Sequence, residues 1–139
     1  MADLSITAAN VHVHGSSTQI RTVQFGETMT AGMSAYLKSS DQKFWKADAN
    51  GSIATAEAKG VVLVGAAADA YGVIVEKGLM DVGATLTVGV PYIVSTAAGA
   101  IAPAPDWAGY TGSWQNHLGY ATATDTLDVQ PRLTGASVA

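Results

Sequence analysis

An all-β fold follows from three features of the 139-residue sequence. Short runs rich in Val, Ile, Tyr and Thr recur along it, separated by clusters of Gly, Asn, Asp and Ser. A single segment has a helix-forming composition, and it is too short to be stable without tertiary contacts. The 24-residue interval from Val82 to Pro105 carries no charge and reads as paired β structure.

Residues 4–14 alternate only in part, and their extended piece is Val11 to His14. Gly15-Ser16-Ser17 supplies a turn or loose connection before Thr18 to Phe25, where Ile20, Val23 and Phe25 mark another strand. Residues 1–25 thus form an N-terminal arm or the first β-hairpin, ahead of a β-rich domain over 26–139. Met33, Ala35 and Leu37 share one strand face, with Tyr36 on the other. The polar turn Ser39-Ser40-Asp41-Gln42 leads to Phe44-Trp45, which predicts a hairpin over about 35–48 with aromatic cross-strand packing.

Ile53 to Lys59 is the helix candidate, stopped by Gly60. Val61 to Val64 reads as a buried strand, and Tyr71 to Val75 as another. Within the charge-free interval, Leu86 to Val94 and Ile101 form strands around the turn Thr96-Ala97-Ala98-Gly99. Pro103 and Pro105 end that structure, placing Trp107, Tyr110 and Trp114 in an aromatic loop. His117 to Ala121 re-enters the sheet, and Thr126 to Val129 is the final strand. Pro131 and Gly135 weaken its continuation, and residues 136–139 are expected to be mobile unless a neighbour captures them. An echo links Thr30-Ala31-Gly32 and Tyr36-Leu37 with Thr87-Val88-Gly89 and Tyr92-Ile93, although the Gly-to-Tyr spacing differs by one residue.

Composition narrows the function. The chain has no Cys, which excludes disulfides, thiolate nucleophiles and iron–sulfur centres. A net charge of -4 provides no broad cation field for nucleic acid. Leu, Ile, Val and Phe number 30 against 25 Ala, a small bulky core for an independent domain, so partner contacts are expected to add buried area. Met1-Ala2-Asp3 opens no basic leader, and no apolar run reaches membrane-spanning length; a soluble intracellular product or a component of a larger particle is expected.

His12 and His14 lie on one face of an intact strand and could supply two metal ligands. Local spacing indicates no third or fourth ligand, so no metal site is assigned. His117 has Asp125 and Asp128 downstream, but neither a nucleophile elbow nor a triad position accompanies it, and Ser113 lacks a Gly-x-Ser-x-Gly frame. The glycines match neither phosphate-binding pattern, so no cofactor is implied and no catalytic residue is assigned. Trp107, Tyr110 and Trp114 suit protein packing, or stacking on a sugar or base. Phe44 and Trp45 point to opposite faces, flanked by Lys43 and Lys46 with Lys38 nearby, a cluster able to meet an acidic surface or simply to form a soluble rim.

The run Ala84 to Pro103, together with Ile6 to Asn10, Thr30-Ala31-Gly32, Tyr36-Leu37, Phe44-Trp45, Ala47-Asp48, His117 to Ala123 and Thr126 to Val129, resembles the head-decoration, or capsid cement, proteins of tailed bacteriophages. The resemblance spans most of residues 5–130. It implies a compact β-barrel or β-tulip-like module with an extended N-terminal arm and at most one short helix, assembled as a homotrimer. It implies a virion protein, made in the host cytoplasm, that binds the outer surface of the expanded capsid and clamps adjacent major capsid proteins, without enzymatic activity, membrane or direct nucleic acid. Candidate capsid or arm contacts are then Val11, Val13, Ile20, Val23 and Phe25, and candidate intersubunit or ligand anchors are Trp45, Trp107, Tyr110 and Trp114. The alternatives are a phage tail, fibre or baseplate β module, and a carbohydrate-binding module using the aromatic loop 107–114.

Overall fold

The computed structural model describes residues 3–15, 17–110 and 112–137. Ten strands follow in order: β1 (Val11–Val13), β2 (Gln19–Gln24), β3 (Ser34–Lys38), β4 (Lys43–Lys46), β5 (Ala58–Val64), β6 (Tyr71–Val82), β7 (Pro91–Val94), β8 (Ile101–Pro103), β9 (Trp114–Ala121) and β10 (Thr126–Ser137). One α-helical turn, α1 (Ile53–Ala56), and two 3-10 segments, Ala8–Asn10 and Ala104–Gly109, complete the regular structure of the described residues. The fold is all-β, and its antiparallel sheet curls into a half-barrel.

The sheet is built from one unit used twice. Its main path runs β4-β3-β5-β6-β10-β9-β7-β8. Each half is a hairpin, a helical turn and a second hairpin, with the leading strands of the two hairpins paired: β3 with β5, and β7 with β9. The halves join where β10 pairs β6, from Thr126↔Asp81 to Val129↔Gly78. Each half also opens on the same turn. Met33 N–H donates to the Thr30 carbonyl and Val90 N–H to the Thr87 carbonyl, with Gly32 (φ 91°) and Gly89 (φ 82°) in the position that demands a left-handed backbone.

A shared irregularity confirms the equivalence. Ala35 faces Gly60 and Tyr36 faces Ala58; likewise Tyr92 faces Gly119 and Ile93 faces His117. A Cβ on Gly60 would collide with the Val75 carbonyl oxygen of β6, and one on Gly119 with the Asp128 carbonyl oxygen of β10. Ala35, not Tyr36, therefore corresponds to Tyr92, which accounts for the one-residue mismatch between the echoing tyrosines.

Several boundaries differ from those expected, each for a local reason. β6 continues from Val75 to Val82 because Gly78, at φ 116°, redirects the strand instead of ending it. The first part of β6 lies between β5 and β2, and the second between β10 and β1. β10 continues past Pro131 to Ser137 because its register with β9 breaks between Val129 and Arg132, a bulge that spares the proline a ladder N–H. The helix ends at Ala56, and Gly60 lies inside β5; Ser52 caps the turn by accepting from Thr55 N–H.

Among the described residues of 1–25, the two strands do not pair with each other. β1 and β2 both pair with β6, and between them His14 N–H and Thr18 Oγ1 donate to the Leu79 carbonyl. Upstream, Leu4 N–H donates to Ile101 O and Thr7 N–H to Gly83 O, so the segment is laid down on its own domain. Ala136 and Ser137 belong to β10. Met1 and Ala2 of the arm, Ser16 of the expected turn, Thr111 of the aromatic loop and the terminal Val138-Ala139 lie outside the described residues.

Two apolar clusters result. The larger includes Val61, Val75, Met80, Val82, Tyr92, Ile101, Leu118 and Leu127; the smaller includes Val23, Phe25, Met29, Phe44, Val62 and Ile74. β6 feeds both, Ile74 entering one cluster and Val75, Met80 and Val82 the other. Replacing Gly60 or Gly119 by Ala should each cost about 1–3 kcal/mol, the usual penalty for forcing a side chain into a packed interior. Gly109→Ala, with open space around the new methyl, should stay within about 1 kcal/mol of the parent. Urea unfolding midpoints of the three variants test the pattern, and a parent-like midpoint for Gly119→Ala would contradict it.

Candidate functional site

Alternation along β6 puts Tyr71, Val73 and Val75 on one face and Gly72 and Ile74 on the other. Across the ladders, Ile20 faces Val75, Thr22 faces Val73, and Val64 also faces Val73. Val61 and Val75 are sealed under the larger cluster. The same face then continues without cover: Ile20 is 56%, Val64 52% and Tyr71 68% exposed. With half-buried Val73 between them and exposed Thr22 alongside, these three residues make an apolar strip beside the arm.

The five arm candidates divide by strand geometry. Val11 packs half-buried against the larger cluster, while Val13 and Ile20 are exposed. Val23 and Phe25 are buried in the smaller cluster, opposite in facing to Ile20, and complete this chain's own core. Phe25 occupies the space above Gly72, where any Cβ would strike its ring.

The aromatic candidates are engaged separately. Trp45 lies against Gly26, its Nε1–H donates to Asp41 at 3.1 Å, and Lys38 Nζ sits 4.4 Å from its ring centroid. Trp107 belongs to the 3-10 segment, not to a loop, and meets the His117 ring edge-on at 5.0 Å. Tyr110 turns its hydroxyl toward Asp3 and Ser95, at 3.4 and 3.3 Å, and Ser95 Oγ donates to Asp3 at 2.6 Å. That network pins the beginning of the arm. Burial, foremost, raises the Tyr110 pKa, and nearby Asp3 adds to this while the Ser95 hydrogen bond opposes it. Trp114 opens β9 and is half-buried. Among the described residues no ring contact joins Trp107, Tyr110 and Trp114. The flanking lysines are also occupied: Lys43 pairs with Asp69 at 2.6 Å and Lys46 with Glu27 at 3.8 Å.

His117 is not brought to either downstream carboxylate. It stands across from Arg132 in the β9·β10 ladder, while Asp125 accepts from Thr126 Oγ1 and Asp128 from Gln130 Nε2. Burial, then the charge of Arg132, holds its imidazole below the ordinary value of 6.5. His12 and His14 do share a locale, with ring centroids 4.9 Å apart, and Asp81 joins them as the cross-strand neighbour of His12. Sequence reasoning missed Asp81. Its one signal was its position at the border of the charge-free interval, and only the β1·β6 register converts that into proximity.

Comparison with known proteins gives no matching family model and no matching curated relative.

The depressed His117 pKa gives a signed pH effect. The unfolded chain takes up this proton more readily, so the contribution is fully present above about pH 6.5 and is lost as pH falls through the lower folded-state value. His117→Gln should therefore flatten the dependence of stability on pH below 6.5, and urea unfolding at pH 7.5 and at successively lower pH checks this. An unchanged slope would remove His117 as its source.

Proposed function

We propose that this chain is a structural virion protein that binds the outer face of an expanded phage capsid as a homotrimer and clamps adjacent major capsid proteins. The target class comes from the sequence resemblance. The observation that carries a binding role is the exposed group of Ile20, Val64 and Tyr71, on the face whose other end, Val61 and Val75, is buried in the larger cluster. Large apolar side chains grouped at the end of a core face are costly to leave in water and are suited to a protein surface.

The arm supports the same reading. Its extended segment attaches by successive strand addition to β6, the kind of backbone pairing by which a strand edge can also take up a partner. In a trimer the strip recurs three times on one body, so modest contacts at each copy combine into firm attachment.

Cosedimentation with purified expanded heads and, separately, with tails tests the proposal. The parent chain should saturate on heads and not on tails. The Ile20→Ser/Tyr71→Ser double variant should bind heads more than about 10-fold more weakly, the loss expected when interface anchors are truncated, with its unfolding midpoint near that of the parent because both side chains are exposed. Recovery with tails alone would reject a head location, and parent-like affinity of the variant would reject the strip.

A further inference from the structure

We infer that His12, His14 and Asp81 form a binding site for a divalent transition-metal ion of the zinc type. This inference is independent of the virion reading. The residues come from the two strands whose pairing fixes the arm: β1 supplies His12 and leads directly into His14, and β6 supplies Asp81. Antiparallel register places His12 opposite Asp81, and strand alternation turns His14 to the same side.

The donor set and its spacing fit the ion. One ligand atom from each residue lies within 4.8 Å of the others. Tetrahedral ligands about 2.1 Å from an ion stand about 3.4 Å apart, so side-chain closure of up to about 1.4 Å completes the triangle. His12 is the member free to provide it, its side chain being 59% exposed against 13% for Asp81. Two imidazoles and one carboxylate are borderline donors that favour zinc, nickel or cobalt over calcium or magnesium. Three protein ligands leave a fourth position for water or for a group from a neighbouring molecule.

The surrounding hydrogen bonds already orient two of the ligands. Asp81 Oδ1 accepts from Gly83 N–H at 2.7 Å, which leaves Oδ2, the oxygen facing His12, as the ligand atom. His12 Nδ1, which stands 4.0 Å from Asp81 Oδ2, donates to the Asn10 carbonyl at 2.8 Å, so Nε2 is the nitrogen left for the ion and the exposed ring must turn to present it. His14 supplies the independent observation. Its Nε2 is buried and has no hydrogen-bond partner among the described residues. A buried ring nitrogen without a partner is unfavourable, and a metal bond satisfies it. The bound ion would fasten β1 to β6 and stabilise the arm by mass action, since the unfolded chain does not hold the three donors together.

The test uses the full chain without an affinity tag, stripped with chelator and titrated with zinc chloride by calorimetry. The expected result is one ion per chain, a higher thermal midpoint, and imidazole NMR shifts at His12 and His14 but not at His117. His14→Gln and Asp81→Asn should each weaken binding by more than the roughly 10–100-fold that loss of an outer-shell partner costs. Asp81→Asn keeps an oxygen for Gly83 N–H, and the metal-free circular dichroism spectrum verifies its fold; exposed His12→Asn serves in place of His14→Gln if that variant fails to fold. His117→Gln should bind as the parent does. Absence of saturable one-to-one binding, or parent-like binding by the folded His12 and Asp81 variants, would overturn the site.

Discussion

The pairing of β6 with β10 is the contact on which the architecture depends. Within each half the four strands are joined by two hairpins and one ladder between them, and the smaller cluster lies wholly in the arm and the first half, whereas the larger cluster draws on both halves. The ladder from Asp81 to Gly78 against Thr126 to Val129 joins the two half-sheets and brings Met80, Val82, Leu127 and Val129 into one cluster. Gly60 and Gly119 serve the same purpose one strand farther out. Each lets a leading strand approach the carbonyl edge of β6 or β10 at a distance that no side chain permits.

This organisation explains how 30 bulky aliphatic and phenyl residues suffice. Ala47, Ala49, Ala56, Ala58, Ala102 and Ala121 are all buried, so small side chains and close backbone approach fill space that larger residues would otherwise occupy. Other large apolar residues, Val88 and Tyr120 among them, are exposed as well, but the group at Ile20, Val64 and Tyr71 lies on the continuation of a core face, along the strand that carries the arm. Asp81 lies farther along the same strand, beyond Gly78, and the histidine pair faces it from β1 and the residue that follows. Thus β6 connects the candidate binding surface, the candidate metal ligands and both cores.

Much of the fold was legible because it depends on local periodicity and turn chemistry. The β3–β4 hairpin, the opposite facing of Phe44 and Trp45, the charge-free hairpin and the re-entry at His117 all follow from alternation and nearby Gly, Asp or Ser. Strand extent was harder to read. The strand expected over Tyr71–Val75 runs on to Val82 through a bend at Gly78, and Pro131, expected to weaken the last strand, occupies a bulge. Register was illegible, because pairing partners such as His12 and Asp81 are chosen by tertiary contacts. The same limit applied to the aromatic residues, whose close spacing suggested one surface although Trp107 turns to His117, Tyr110 to Asp3 and Trp114 into β9. Val23 and Phe25 were recognisable as apolar strand residues, but only their facing decided that they belong inside.

The attachment of the arm has a mechanical consequence. Ladder hydrogen bonds lie across the strand axis, and β2 meets β6 over six residue pairs. Tension applied along β2 therefore loads those bonds together in shear, whereas a pull away from the sheet would open them one after another. With β6 embedded between two neighbours on either side of Gly78, the load passes into both clusters at once. The chain is consequently anisotropic: stiff along the direction of its arm and easily peeled across it.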